Sequence, residues 1–290
     1  METRWLHVTS ERLAALRDEA HGVCCIPMGC VEKHGLHLPL GTDILEASGI
    51  AYAASQLETV AVFPDFIFGD VPEKSPSRPL GNITVSLETQ MTLLEELCEQ
   101  IAANGFRKIM IYNSHGGNYH WLMTFLRKLS GKKRDFVVVI AKDEMPVPHD
   151  MAERILAEGA SAFPELTEED VALLLKYHEE RMRIGHACMT ETAFVMGLHP
   201  ASVHLDRLGI ESGRSTHAAD YLAKAGILMK DSGWGVNYPN AYTGDDPIGC
   251  NERIGRAAVR MEAERLAGVF KLYKEDENIW RWHEEEQKGW

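Results

Sequence analysis

The sequence lacks the features of membrane-embedded, secreted and nucleic-acid-binding proteins. It has no run of about 18 apolar residues, which a membrane-spanning helix requires. Its first five residues do not lead into the apolar segment of a secretory signal. The formal net charge of −13 argues against non-specific binding of nucleic acid, which needs a basic footprint. We therefore expect neither a membrane nor a nucleic acid among its partners.

Cysteine motifs are also missing. The six cysteines form no CxxC pair and no disulfide-framework spacing, so reduced thiols in a cytoplasmic enzyme are the simplest interpretation. The chain has 290 residues, of which 45% are hydrophobic, and this is enough for a large buried core. Because no repeat or linker divides the chain, we predict a single domain over residues 1–290.

Short apolar runs alternate with helical patterns through the first half of the chain. Strands are predicted at 23–28, 59–63, 108–112 and 135–140. Helices are predicted at 10–20, 44–57, 86–104, 119–129, 167–182 and 251–273, with loops dominating 199–250. This alternation is typical of βαβ units. The predicted fold class is α/β, a three-layer α/β/α domain with a mostly parallel central sheet.

Metal-binding side chains concentrate in the loop after the first predicted strand. Glu32 and His34 would point to one side of an extended loop, and Asp43 follows nine residues later. His115 follows the third predicted strand, and the carboxyl ends of parallel strands meet at one edge, where ligands bind. This mixed set favours Zn²⁺ or Mn²⁺. An equally open alternative is that these are polar loop residues, with Asp43 capping the next helix. His37 is expected to support the site rather than bind metal.

Four segments resemble the creatininase (creatinine amidohydrolase) family. Residues 29–43 match its signature loop, Gly-x-x-Glu-x-His-Gly-x-His-Leu-Pro-Leu-Gly-Thr-Asp, almost completely. Residues 113–118 resemble its Asn-Gly-His-Gly-Gly-Asn loop, with serine at the second position. Residues 185–192 resemble its Gly-His-Ala-Gly-x-x-Glu-Thr element, and 244–247 resemble a Gly-Asp-Pro turn. Because the segments keep the family's order, the resemblance implies the creatininase fold.

The resemblance implies two divalent metal ions, zinc and/or manganese, with iron also admissible. Glu32 and His115 would bind one ion, His34 would bind the other, and Asp43 would bridge them. The family's second carboxylate falls at Gly117, which has no side chain, so Glu191 would replace it.

His186 matches the family histidine that binds substrate and transfers protons, although a packed or helix-capping histidine is the alternative. The implied activity is hydrolysis of an amide C–N bond in a small, in some cases cyclic, molecule. Water between the two ions would attack the carbonyl carbon while His186 protonates the leaving nitrogen. A formamide hydrolase or small-peptide peptidase of the same family is the second interpretation. A metal-stabilised binding protein without turnover is the third.

Departures from the family pattern bear on the substrate. Met182 stands where creatininase has a tryptophan over the creatinine ring, and Arg181 precedes it. Arg78 lies in a second altered stretch, and Gly116 would let a ligand approach the backbone closely. We interpret these four residues as substrate-binding, with the arginines selecting a carboxylate or phosphate; surface arginines are the alternative. The loop 113–118 lacks GxGxxG and a P-loop lysine, which disfavours a phosphate cradle.

The family also implies a homo-oligomer, in some members a hexamer. The aromatic tail would provide a surface for a neighbouring subunit, or would fold back on its own subunit; its tryptophans are Trp280, Trp282 and Trp290.

If the arginines select an anionic substrate, Arg78→Ala and Arg181→Ala should each slow hydrolysis of anionic amides and spare neutral amides of similar size. The measurement is kcat/KM over a matched panel of both substrate types. Equal losses on both types would show that the arginines do not recognise charge.

Overall fold

A four-stranded parallel sheet forms the centre of this computed structural model, which describes residues 1–71, 80–142, 147–227 and 232–289. Its strands are β1 (Val23–Met28), β2 (Ala61–Val62), β3 (Lys108–Asn113) and β4 (Val137–Lys142). The order is β2-β1-β3-β4, and all neighbouring strands are parallel. Because Met28 pairs with Asn113, β1 and β3 end side by side.

Helices cover both faces of the sheet. Within the described ranges they are α1 (Ser10–Glu19), α2 (Thr42–Leu57), α3 (Leu87–Ala103), α4 (Asn118–Ser130), α5 (His149–Glu158), α6 (Glu168–Glu179), α7 (Met189–Leu198), α8 (Asp220–Lys224), α9 (Ser232–Asn237), α10 (Glu252–Glu275) and α11 (Glu277–Gln287). None of these helices combines the length and the apolar character needed to cross a bilayer.

The alternation of side chains along β1 divides the core into two layers, since successive strand residues point to opposite faces. Cys24 and Ile26 pack with residues of α1, α3 and α4 in one hydrophobic cluster. Val23 and Cys25 pack with residues of α2, α5, α7 and α10 in a larger cluster on the other face. The predicted three-layer α/β/α class is thereby confirmed.

The predicted elements are present, with changes at their ends. Ser86 and Asn251 lie outside their helices because their side chains cap them, each accepting hydrogen bonds from backbone amides of the first turn. Thr9 is the N-cap of α1, and its side chain accepts a hydrogen bond from the backbone amide of Arg12. The predicted strand at 59–63 is only two residues long, since Ala61 and Val62 alone pair with β1, through Cys24 and Cys25. On its other side Val62 forms a single bridge with Arg4.

Five helices were not predicted, namely α5, α7, α8, α9 and α11, and two of them, α8 and α9, lie in the segment expected to be dominated by loops. α5 presents only a short apolar face, and α11 is so charged that His283 is its one buried residue in the described range. Trp280 in α11 packs against the larger hydrophobic cluster, so this part of the aromatic tail folds back on its own chain. Trp282 is 58% exposed, and Trp290 lies outside the described residues.

Helices α7 and α10 cross at a pair of glycines. A Cβ atom on Gly255 would lie 2.5 Å from the carbonyl oxygen of Ala193 and would collide with the backbone of Gly197. The two backbones can therefore approach this closely only because neither glycine has a side chain. Since α7 also carries Glu191, this crossing sets where that carboxylate lies.

We expect Gly255→Ala to reduce the free energy of unfolding by about 1–3 kcal/mol, because overpacking moves α7 away from α10. Urea denaturation measures the change. Gly268→Ala is the matched control: it lies in the same helix with open space around its Cβ, so it should be neutral or stabilising by up to about 1 kcal/mol. Equal stabilities of the two variants would contradict the close crossing.

Candidate metal centre

The predicted ligands converge at the carboxyl edge of the sheet. Glu32 and His34 lie in the loop after β1, His115 follows β3, and Asp43 is in the first turn of α2. The loop passes very close to α2, since a Cβ atom on Gly29 would lie 2.7 Å from the Cβ atom of Asp43. A glycine at position 29 is therefore required for this approach.

The carboxylate of Asp43 lies between two histidines. Its Oδ1 atom is 2.7 Å from Nε2 of His34, and its Oδ2 atom is 2.8 Å from Nδ1 of His115. His34 is fully buried and Asp43 is 1% exposed. Each carboxylate oxygen thus faces a different histidine, which is the arrangement a bridging ligand requires.

Backbone carbonyl groups orient both histidines. Nδ1 of His34 is 3.0 Å from the carbonyl oxygen of Glu32, and Nε2 of His115 is 2.9 Å from that of Asp70. A carbonyl oxygen only accepts, so these nitrogens donate. In a neutral ring the other nitrogen, which faces Asp43, then holds the lone pair that can bind a cation. Histidine ligands of metals in proteins are commonly oriented in this way.

Two further carboxylates divide the cluster into halves. Oε2 of Glu32 lies 3.6 Å from Nδ1 of His115, and Oε2 of Glu191 lies 3.8 Å from Nε2 of His34. The backbone amide of Ala187 donates a hydrogen bond to Glu191. Glu191 is therefore close enough to His34 to provide the second carboxylate, which a glycine at position 117 cannot provide. A Cβ atom on Gly117 would lie 2.5 Å from Nε2 of His115, so no side chain fits there.

The cluster attracts positive charge. Burial lowers the pKa of His34, but the carboxylates of Asp43 and Glu191 outweigh burial and raise this pKa to about 10. Burial and Asp43 act on His115 in the same opposing way, and the pKa of His115 rises to about 9. Burial raises the pKa of Asp43, but the two histidines hold it well below its usual value. This buried set of carboxylates and imidazoles therefore fits divalent cations.

His186 lies on the more accessible side of the cluster, with 14% of its side chain exposed. Its Nε2 atom is 2.8 Å from the carbonyl oxygen of Lys33 and 3.9 Å from Oε2 of Glu32. Thr243, beside the 244–247 turn, accepts a hydrogen bond from the His186 backbone amide at 2.7 Å. Burial, with the nearby His34, lowers the pKa of His186 to about 4, so its ring is neutral at pH 7.

Two residues at the cluster were not predicted. The thiol of the buried Cys30 lies 2.9 Å from Oδ2 of Asp43, and Cys30 precedes Glu32 by two residues, so the alternation argument could have found it. The ring of Trp234, in α9, lies edge-on 5.6 Å from that of His186. Its segment carries no sequence signal that could have placed it there.

Three of the four predicted substrate contacts, Arg181, Met182 and Gly116, lie in the described residues. Met182 is buried in the larger hydrophobic cluster, so core packing accounts for it. Arg181 is exposed, and Gly116 is exposed with open space where a Cβ atom would be. Their role as substrate contacts stays a prediction. Arg78 lies outside the described residues. The Nε2 atom of His37 lies 2.9 Å from the Ala187 carbonyl oxygen, and its supporting role stays a prediction.

Comparison with known proteins finds one matching family. The family model described as creatininase, creatinine amidohydrolase, matches residues 6–270. A mycofactocin precursor peptide peptidase from Mycobacterium tuberculosis (strain CDC 1551 / Oshkosh) is 31% identical over 120 residues, which are 38% of this chain and 47% of that protein. The chain thus matches about half the length of this relative. A creatinine amidohydrolase from Pseudomonas putida is 22% identical over 198 residues, covering 64% of this chain and 68% of that protein.

Solved structures share the fold at low sequence identity. A crystal structure from Bacteroides fragilis NCTC 9343, described as a creatinine amidohydrolase, has a TM-score of 0.68 and 22% identity, and the match covers 96% of this chain and 99% of that chain. A creatininase structure described as a manganese form has a TM-score of 0.66 and 17% identity, with 95% and 100% covered. A mutant creatininase described as Zn-Zn type has a TM-score of 0.67, the same identity and the same coverage.

We expect the Asp43→Ala variant to bind neither of two divalent ions. The reason is that Asp43 is the carboxylate shared by the two sides of the cluster, which contain His34 and His115. The measurement is metal content per chain after dialysis against zinc or manganese. Asp135→Ala is the matched control, since its side chain is 70% exposed and outside the cluster. Retention of two ions per chain by Asp43→Ala would contradict the bridging assignment.

Proposed function

Because this chain belongs to the creatininase (creatinine amidohydrolase) family, we propose that it is a metal-dependent amidohydrolase that hydrolyses the amide C–N bond of a small molecule, cyclic amides included. The observation that carries this proposal is the buried carboxylate of Asp43, whose two oxygens face His34 and His115 separately. Two further carboxylates lie within reach of these histidines.

The cluster separates into two ligand sets. Glu32, Asp43 and His115 would hold one divalent ion, and His34, Asp43 and Glu191 would hold the other. Zinc and manganese are the candidate metals, with iron also admissible, and the zinc and manganese forms among the similar structures support the first two. When bound, two such ions polarise a carbonyl group and promote ionisation of water.

His186 is the proposed proton-transfer residue. Its Nε2 atom donates a hydrogen bond to the carbonyl oxygen of Lys33. In the neutral ring Nδ1 therefore keeps its lone pair. Such an imidazole can take up a proton during attack on the carbonyl carbon and return it to the leaving nitrogen, which is general acid–base catalysis.

The substrate would approach from the side of His186 and Glu191. Their side chains are 14% and 18% exposed, whereas the buried ligands are at most 8% exposed. The aromatic ring of Trp234 lies beside that of His186, and the space next to Gly116 is open. This setting suits a small planar amide, with Arg181 and Arg78 as proposed contacts for an anionic group.

A peptidase that trims a small modified peptide is the second candidate function. The observation favouring it is the 31% identity over 120 residues to the mycofactocin precursor peptide peptidase. A peptide substrate would need room beyond the space that a cyclic amide occupies, so the two candidates differ in the substrate lengths they accept.

We also propose a single domain that assembles into a homo-oligomer, as large as a hexamer, in the cytoplasm. The continuous family match over residues 6–270 supports the single domain. The exposed Trp282 offers an apolar surface for a second subunit. All six cysteines are buried free thiols, as expected in a reducing compartment.

We expect His186→Gln to lower kcat by about 10²–10⁴-fold, the usual contribution of a general acid–base residue, without changing metal content. The assay compares creatinine, N-formyl amides and short peptides with metal-loaded protein. His7→Gln is the control, because His7 is an exposed histidine in the N-terminal segment.

Activity on the panel must also disappear when a chelator removes the metal and return when the metal is restored. Full turnover by metal-stripped protein would contradict the proposed function. Metal binding without hydrolysis of any panel member would favour the binding-protein alternative.

A further inference from the structure

We propose that Cys30 is a thiolate ligand of the metal held by Glu32, Asp43 and His115, so that this ion has a mixed sulfur, nitrogen and oxygen donor set. The inference deepens the proposed function and rests on its metal centre. It goes beyond the ligands expected from the family resemblance, which include no cysteine.

The position of Cys30 in the chain brings its thiol to the cluster. Cys30 is the second residue after β1 and is fully buried. Because Cys30 and Glu32 are two residues apart in an extended segment, their side chains point to the same side. The loop reaches Asp43 because Gly29 has no Cβ atom to collide with α2.

The donor atoms lie close enough together for one ion to bind them all. The Sγ atom of Cys30 lies 2.9 Å from Oδ2 of Asp43 and 3.8 Å from Oε2 of Glu32. A sulfur and an oxygen at neighbouring positions on the same zinc ion lie about 3–3.5 Å apart, as follows from the usual bond lengths, also when a further position stays open for water. The two distances from Cys30, 2.9 and 3.8 Å, lie on either side of this range. All four donor atoms of the set, with that of His115, lie within 4.8 Å of one another.

The charges also balance with a thiolate. The carboxylates of Glu32, Asp43 and Glu191 and one thiolate would neutralise two divalent cations, with the histidines neutral. The other two groups of potential ligands in the described residues contain no sulfur. Since thiolates favour zinc over manganese, the half that contains Cys30 should prefer zinc, whereas the half with His34 and Glu191 should accept either metal.

A hydrogen bond from a neutral thiol to Asp43 is the competing role for Cys30. Cys30→Ser separates the two, because a serine hydroxyl can donate this hydrogen bond but is a poor metal ligand. Cys98→Ser is the matched control, since Cys98 is a buried thiol in the hydrophobic cluster formed with α1 and α4 and is not among the potential metal ligands in the described residues.

The test is the absorption spectrum of cobalt(II)-loaded full-length protein. Wild type and Cys98→Ser should show the intense near-ultraviolet thiolate-to-cobalt charge-transfer band, and Cys30→Ser should lack it. The zinc affinity of Cys30→Ser should fall by more than the roughly 10–100-fold cost of losing an outer hydrogen bond. Its manganese affinity should fall less.

X-ray absorption of the zinc-loaded wild type needs no variant and should show one Zn–S bond of about 2.3 Å. Metal-loaded wild type without the charge-transfer band or this bond would overturn the ligand role of Cys30 and leave the hydrolase proposal standing. A wild-type protein that binds no divalent metal would instead overturn the proposed function and, with it, the role of Cys30.

Discussion

The carboxylate of Asp43 is the constraint on which the rest of the centre depends. It joins three separate segments, since α2 supplies the carboxylate and the loops after β1 and β3 supply His34 and His115. Removing one partner of a buried charged pair costs about 3–5 kcal/mol, because the remaining charge is left without compensation. Asp43 also lies in the first turn of α2, where the helix dipole favours a negative charge. The side chain of Asp43 therefore contributes both to the stability of the fold and to the positions of the ligands.

The ligands at the strand ends could be predicted because topology alone determines their place. In a parallel sheet every carboxyl end lies at the same edge, so Glu32, His34 and His115 were expected there once the strands were recognised. The strand order, in which β1 lies beside β3, then makes them neighbours. Glu191 is different, because it lies more than 70 residues beyond His115 in the chain. Only the family resemblance indicated it, and its position depends on the crossing of α7 and α10.

Other features could not be predicted because tertiary packing decides them. Trp234 reaches His186 from a loop-rich part of the chain, where no hydrophobic period indicates a direction. Met182 occupies a position matched to a substrate-covering tryptophan, yet its apolar side chain is buried in the core. Residue type alone does not distinguish these outcomes, since an apolar side chain near a site can serve either purpose.

The two neighbouring glycines after His115 differ in how much change they tolerate. At Gly117 an added Cβ atom would meet the His115 ring and the Asp70 carbonyl, whereas at Gly116 it would meet nothing within 4 Å. A larger side chain at position 116 would therefore extend into open space and leave the His115 ring in place. Position 116 can thus accept a side chain, whereas position 117 cannot. Substitutions at position 116 are therefore a way to alter substrate choice without changing the candidate metal centre.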